Sequence, residues 1–125
     1  EMYSKTVTAD YYFMSSNAIT LDGQLINMDG FGNRIACLIA GPKNVIIIAG
    51  MNKIVSDVPT GMERVRNMAA PPNCVRLNKN TPCSQLGRCT NCLTDDCICC
   101  NLVITRKSII PGRIKVILVG EELGY

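Results

Sequence analysis

An α/β fold with a layered, mixed sheet is what this 125-residue sequence predicts. Three observations carry the prediction. The run Val45-Ile46-Ile47-Ile48-Ala49 is apolar at every position, the pattern of a parallel strand covered on both faces. Short apolar runs alternate with helical stretches punctuated by Gly and Pro, the rhythm of layered α/β proteins. The composition, 47% hydrophobic and 18% charged with a net charge of +3, suits a chain that buries a core. It excludes a disordered, collagen-like or coiled-coil chain.

The elements follow in order. Residues 1–10 read as the end of a helix, and Tyr11-Tyr12-Phe13-Met14 as a short strand of aromatic character. Asp22-Gly23 lies between apolar residues over 20–27, a strong hairpin signal. Asp29-Gly30-Phe31-Gly32-Asn33 makes a second turn, and 34–40 a short helix stopped by Gly41-Pro42. Residues 59–70 form another helix, ended by Pro71-Pro72, with one more helical turn at 73–78. A Cys-rich insert occupies 81–100. Strands at 102–104 and 114–119 follow, separated by a turn at Pro111-Gly112. The strands around 11–15, 45–49, 102–105 and 115–119 are expected in one sheet, with 45–49 central and inaccessible. The whole of 1–125 reads as one domain, long enough to bury roughly two-thirds of its unfolded surface. The chain opens on Glu1 rather than Met and reads as part of a longer one.

No segment combines basic residues, an apolar run and a small-residue cleavage site. The most apolar stretch, 35–51, is interrupted by Gly41-Pro42-Lys43-Asn44, short of the about 20 apolar residues a membrane helix needs. The expectation is a cytoplasmic protein without membrane contact. Residues 61–115 hold nine Lys or Arg against three acids. Aromatic residues for base stacking are absent there, so nucleic acid is not the expected partner. The excess is better matched to a negatively charged thiolate centre.

Six of the eight cysteines fall within residues 83–100. Cys83, Cys89, Cys92 and Cys99 give the spacing C-x5-C-x2-C-x6-C. The Cys89-Thr90-Asn91-Cys92 turn lets two sulfurs grip one ion, and the outer pair closes the tetrahedron. Cys97 and Cys100 are alternatives for the fourth place. Four thiolates without nitrogen or oxygen ligands suit zinc or an iron–sulfur cluster and exclude magnesium and calcium. Spacing does not separate Zn²⁺ from [4Fe–4S]. The contrary reading is a set of incidental thiols, but a polar, turn-rich loop is not where core cysteines collect. Cys37, in an apolar helix, reads as core.

Ser15-Ser16-Asn17 follows directly on the first strand, and ligands of open α/β sheets bind at the carboxyl ends of strands. Ser16, Asn17, Asp22, Asn27, Asp29, Asn33 and Arg34 are the candidate ligand residues, expected to line one concavity. Arg34 would anchor an anion, since guanidinium binds carboxylate or phosphate bidentately. The plainer reading is that these Asp, Asn and Gly residues only make turns. With no His in the chain, Ser/His/Asp and Cys/His catalysis are excluded, and no P-loop or G-x-G-x-x-G is present.

The runs Ser15-Ser16-Asn17-Ala18-Ile19-Thr20, Asp22-Gly23, Asn27, Asp29-Gly30, Gly32-Asn33-Arg34 and Gly41-Pro42-Lys43 together resemble the LUD domain family of lactate-utilisation proteins. Asn52-Lys53-Ile54-Val55, Ala69-Ala70-Pro71, Thr81-Pro82-Cys83 and the closing Val119-Gly120-Glu121-Glu122-Leu123-Gly124-Tyr125 extend the resemblance over nearly the whole chain. It implies a three-layer mixed sheet related to the ribose-5-phosphate isomerase and CoA-transferase-like folds, here with a Cys-rich metal-binding loop. It also implies an upstream half bearing a Gly/Ser/Thr-rich loop, and places metal ligands at Cys83, Cys89, Cys92 and Cys99. The family's link to lactate oxidation tilts the cofactor towards an iron–sulfur cluster in the cell over zinc.

Three functions compete. The chain could be a lactate-utilisation protein binding a small carboxylate or phosphorylated ligand, a sugar-phosphate isomerase-like domain, or a non-enzymatic metal-bearing module that docks on a redox partner protein. Whether it is an enzyme is left open, and a homodimer is compatible with each.

Overall fold

The computed structural model describes residues 5, 7–66 and 100–123. In chain order the elements are β1 (Tyr11–Met14), β2 (Ala18–Thr20), β3 (Leu25–Asp29), α1 (Asn33–Ala40) and β4 (Asn44–Gly50). A 3-10 turn (Met51–Lys53), β5 (Ile54–Val55), α2 (Val58–Arg64), β6 (Asn101–Thr105) and β7 (Ile114–Val119) follow. They form two sheets rather than one. The first has the order β1-β4-β7, all parallel; the second has the order β5-β2-β3-β6. The expected single sheet is corrected at β6, which pairs antiparallel with β3 from Leu25↔Thr105 to Asp29↔Asn101. A short Leu-Val-Ile run carries no information about which sheet it joins, and an antiparallel neighbour needs no crossover helix.

Local chemistry sets the element boundaries. The Asp22-Gly23 turn, with Gly23 at φ 90°, closes the β2–β3 hairpin. α2 begins at Asp57, whose carboxylate accepts from the Thr60 backbone N–H at 2.9 Å, followed by Val58 and Pro59. That N-cap places the start one residue before the expected 59. The helix's expected end at 70, the turn at 73–78 and the insert at 81–99 lie outside the described residues. α1 ends where Arg113 reaches back to it. This buried guanidinium donates to the carbonyls of Leu38 (2.6 Å) and Cys37 (3.0 Å) in the helix and of Pro42 (3.0 Å) just beyond it, with Cys37 also accepting the Gly41 N–H at 3.1 Å.

Two apolar clusters hold these layers. Met14, Ile19, Leu25, Leu38, Val45, Ile47 and Ala49 form one, and Ala18, Ile26 and Val65 form the other with Val55, Val58 and Met62 beside them. β4 is central in its sheet, as expected, and alternates: Val45, Ile47 and Ala49 are buried. Its other face is not covered among the described residues, a correction to the expectation of an inaccessible strand. Ile48 is 41% exposed, with Phe13 and Ile117 beside it at 63% and 51%. At Gly61, α2 lies so near β3 and β5 that a Cβ would overlap Ile26 and press on Val55. No helix among the described residues is long and apolar enough to cross a membrane.

Candidate functional site

β1, β4 and β7 run parallel, so their carboxyl ends share one edge. Ser15, Ser16 and Asn17 leave β1 there, and Asn52 and Lys53 leave β4. The chain after β7 joins them: Met51 N–H donates to the Glu121 carbonyl at 2.9 Å and Leu123 N–H to Asn52 Oδ1 at 3.0 Å.

Asn17 is the hub. Its Oδ1 accepts from Met28 N–H at 2.8 Å and from Arg34 Nη2 at 3.0 Å. Its backbone N–H donates to Asn27 Oδ1 at 3.1 Å, and its backbone carbonyl accepts from Arg64 Nη1 at 2.8 Å. Arg34 Nη2 also donates to the Met28 carbonyl at 2.9 Å. Its Nη1 makes two long contacts, to the Ser15 carbonyl at 3.4 Å and Asn27 Oδ1 at 3.5 Å. These four acceptors are neutral oxygens. Arg34 is placed by its helix: Gly32 adopts φ 98° just before α1, and Asp29 Oδ2 accepts the Arg34 and Ile35 backbone N–H groups at 3.1 and 3.4 Å. Only glycine takes that left-handed turn without strain.

One further cation, Arg64, closes on Asn17, and Lys53 is buried just beyond the end of β4; sequence reading did not single out either as a site residue. Arg64, in the last turn of α2, is buried and its Nε donates to the Asn52 carbonyl at 2.8 Å. Lys53 is 4% exposed. Burial, with the charges of Arg64 and Arg34, pulls its ammonium from 10.5 down to about 8. Burial disfavours the charged form of a lysine. The signal that could have found them is positional, since Lys53 follows the end of an all-apolar strand where ligand groups collect. Asn27 adds a second unmet demand. Its Oδ1 is fixed by the Asn17 and Arg34 donors, and its Nδ2 is buried with no hydrogen-bond partner among the described residues. Leaving such a donor unpaired costs roughly 1–3 kcal/mol.

Of the seven expected ligand residues, Asn17, Asn27, Asp29 and Arg34 come together. Ser16 is buried beside them, but its hydroxyl is used on the Ala18 carbonyl at 2.9 Å and the Ile26 carbonyl at 3.4 Å. Asn33 is exposed at the start of α1. Asp22 stands apart at the other end of β3, where it takes the Thr20 hydroxyl and the Gln24 amide at 3.2 Å. Those bonds hold its carboxyl below the usual range. Asp22 lines a different groove of about 1070 Å³ with Ile39, Ile104, Arg106 and Ile110. The single concavity expected for all seven is therefore corrected to a four-residue network joined by Arg64 from α2. Cys83, Cys89, Cys92 and Cys99 lie outside the described residues, and Cys37 is buried in the core as expected. Among the described residues no group of three His, Cys, Asp or Glu side chains could hold a metal.

The comparisons with known proteins fit this architecture. A crystal structure of a DUF162 family protein from Deinococcus radiodurans superposes with a TM-score of 0.50 at 20% identity. The match covers 94% of this chain and 58% of that one, so the chain spans well under two-thirds of the relative's length. No curated protein matches. The model of the LUD domain matches residues 1–119, and the chain belongs to the LUD domain family.

Proposed function

We propose that the network around Asn17 binds a small carboxylate or a phosphorylated ligand, with Arg34 as its anchor, and that the chain serves the oxidation of lactate or a similar small carboxylate. The observation that carries this reading is Arg34, whose described acceptors are all neutral oxygens, beside the buried Asn27 Nδ2 that has no hydrogen-bond partner among the described residues, at the edge where β1, β4 and β7 end. Positive charge gathered at that edge, with a buried amide donor in reserve, is the environment an anion neutralises. Arg34 is half-buried beside the exposed Ser15, so the network opens to solvent on that side.

The second part of the proposal is a metal centre on Cys83, Cys89, Cys92 and Cys99. The donor set fits: four thiolates select soft ions, and an iron–sulfur cluster is favoured over zinc by the link to redox chemistry. When bound, such a cluster supplies one-electron transfer, for which a redox partner protein is required. The chain's own residues hold and orient the anion.

Equilibrium dialysis with L-lactate and with inorganic phosphate tests the first part. Arg34→Gln should weaken whichever anion binds by at least about tenfold, the scale of one charge-assisted hydrogen bond, with the circular dichroism unchanged. Equal affinity in the variant overturns the assignment. For the metal, protein purified without oxygen should carry iron or zinc that Cys92→Ser loses and Cys37→Ser retains. Equal metal in wild type and Cys92→Ser contradicts the centre.

A further inference from the structure

We propose that the outer edge of β6, with the groove beside Asp22, docks an extended, acidic segment of a partner protein, which joins the sheet as a further strand. The open edge is the first argument. β6 is the last strand in the order β5-β2-β3-β6, and its register partners all lie on β3. Among the described residues no strand and no loop hydrogen bond meets its other side. Such an edge is a template for an incoming chain, and natural edges are guarded by Pro or charge. Asn101–Thr105 holds neither.

The groove is the second argument. It lies between β6, the end of α1 and the 106–113 connection that leads into β7. Its isoleucines stand uncovered: Ile39 is 59% exposed, Ile110 57% and Ile109 90%. Apolar side chains gathered beside an open strand edge mark a contact surface. An added strand turns every second side chain towards one face, so alternating apolar residues can reach them. Charge selects the occupant. Arg106 and Lys107 follow β6 directly, are exposed and line the groove, and neither has a hydrogen bond or ion pair among the described residues. Arg113 lines it too, but is spent on the carbonyls at the end of α1. Asp22 is engaged by Thr20 and Gln24. The charge left over is positive, so the fitting segment carries acidic residues at the end beside Arg106 and Lys107. A second copy of this chain would bring the same two cations to the groove and fits less well.

Selection of random displayed peptides of about ten residues, the length of a long strand, on the intact chain tests this. The selected sequences should alternate apolar residues and carry acidic residues near one end. Their affinity at low salt should fall roughly tenfold in Arg106→Gln/Lys107→Gln, the scale of two exposed ion pairs. Ile39→Glu should weaken them further. That variant is read only where its circular dichroism matches wild type; the Arg106→Gln/Lys107→Gln pair, both exposed, decides where it does not. Bound peptide should also slow amide hydrogen exchange over 101–105, which a contact through side chains alone would not do. Selected peptides without acidic residues, equal affinity in the double variant, unchanged exchange over 101–105, or no binder at all overturns the proposal. Sedimentation that shows a dimer dissociated by Ile39→Glu assigns the groove to a second copy and overturns it as well.

Discussion

Lys53 shows how much a single placement can say. Burying a lysine until it is 4% exposed disfavours its charged form, and the charges of Arg64 and Arg34 add to that. Its depressed affinity for a proton has a measurable sign. The folded state binds that proton less tightly than the unfolded state between about 8 and 10.5, so stability rises with pH across that window. Urea unfolding of wild type and Lys53→Met at several pH values there should show the rise in wild type and its absence in the variant. The variant should also be the more stable of the two on the acid side of the window. An equal pH slope in both proteins would contradict the burial of Lys53 against its neighbours. Arg113 makes a contrasting point. It sits in the basic excess of residues 61–115, yet it is buried and spent on three carbonyls at the end of α1. With Arg64 also turned inward, that excess is not one charged face.

Among the elements, those governed by local chemistry were legible. The hairpin could be read because Asp22-Gly23 permits little else between two apolar runs, and α1 because Gly41-Pro42 ends it. What could not be read was assignment at a distance. β5 is two residues long, too short for any periodicity, and β6 looks the same whether its partner is β3 or β4. The same limit governed the site: Asn17, Asn27 and Arg34 lie within one stretch of turns, whereas Lys53 and Arg64 arrive through β4 and α2. Asp22 was grouped with them because it is near in sequence, though β3 carries it to the opposite end. The packing of α2 offers a direct check. Gly61→Ala would drive a methyl group into the buried Ile26 side chain, and should destabilise the protein by roughly 1–3 kcal/mol. A denaturation midpoint at or above wild type, as expected for Gly→Ala in an open helix, would mean that α2 does not lie so close to the sheet.

At the scale of the molecule, a parallel three-stranded sheet and a mixed four-stranded sheet meet so that three strand ends and two helix-borne arginines share one edge. The family match covers residues 1–119, and the resemblance legible in the sequence pointed to the same family. That edge, rather than the groove beside Asp22, is where the charges and the unpaired amide collect. Crystals of the protein soaked with inorganic phosphate test this most directly. An anion is expected within hydrogen-bond reach of Arg34 and Asn27 Nδ2, in wild type and not in Arg34→Gln. Phosphate bound instead among Asp22, Arg106 and Lys107, with the edge at Asn17 empty, would contradict it.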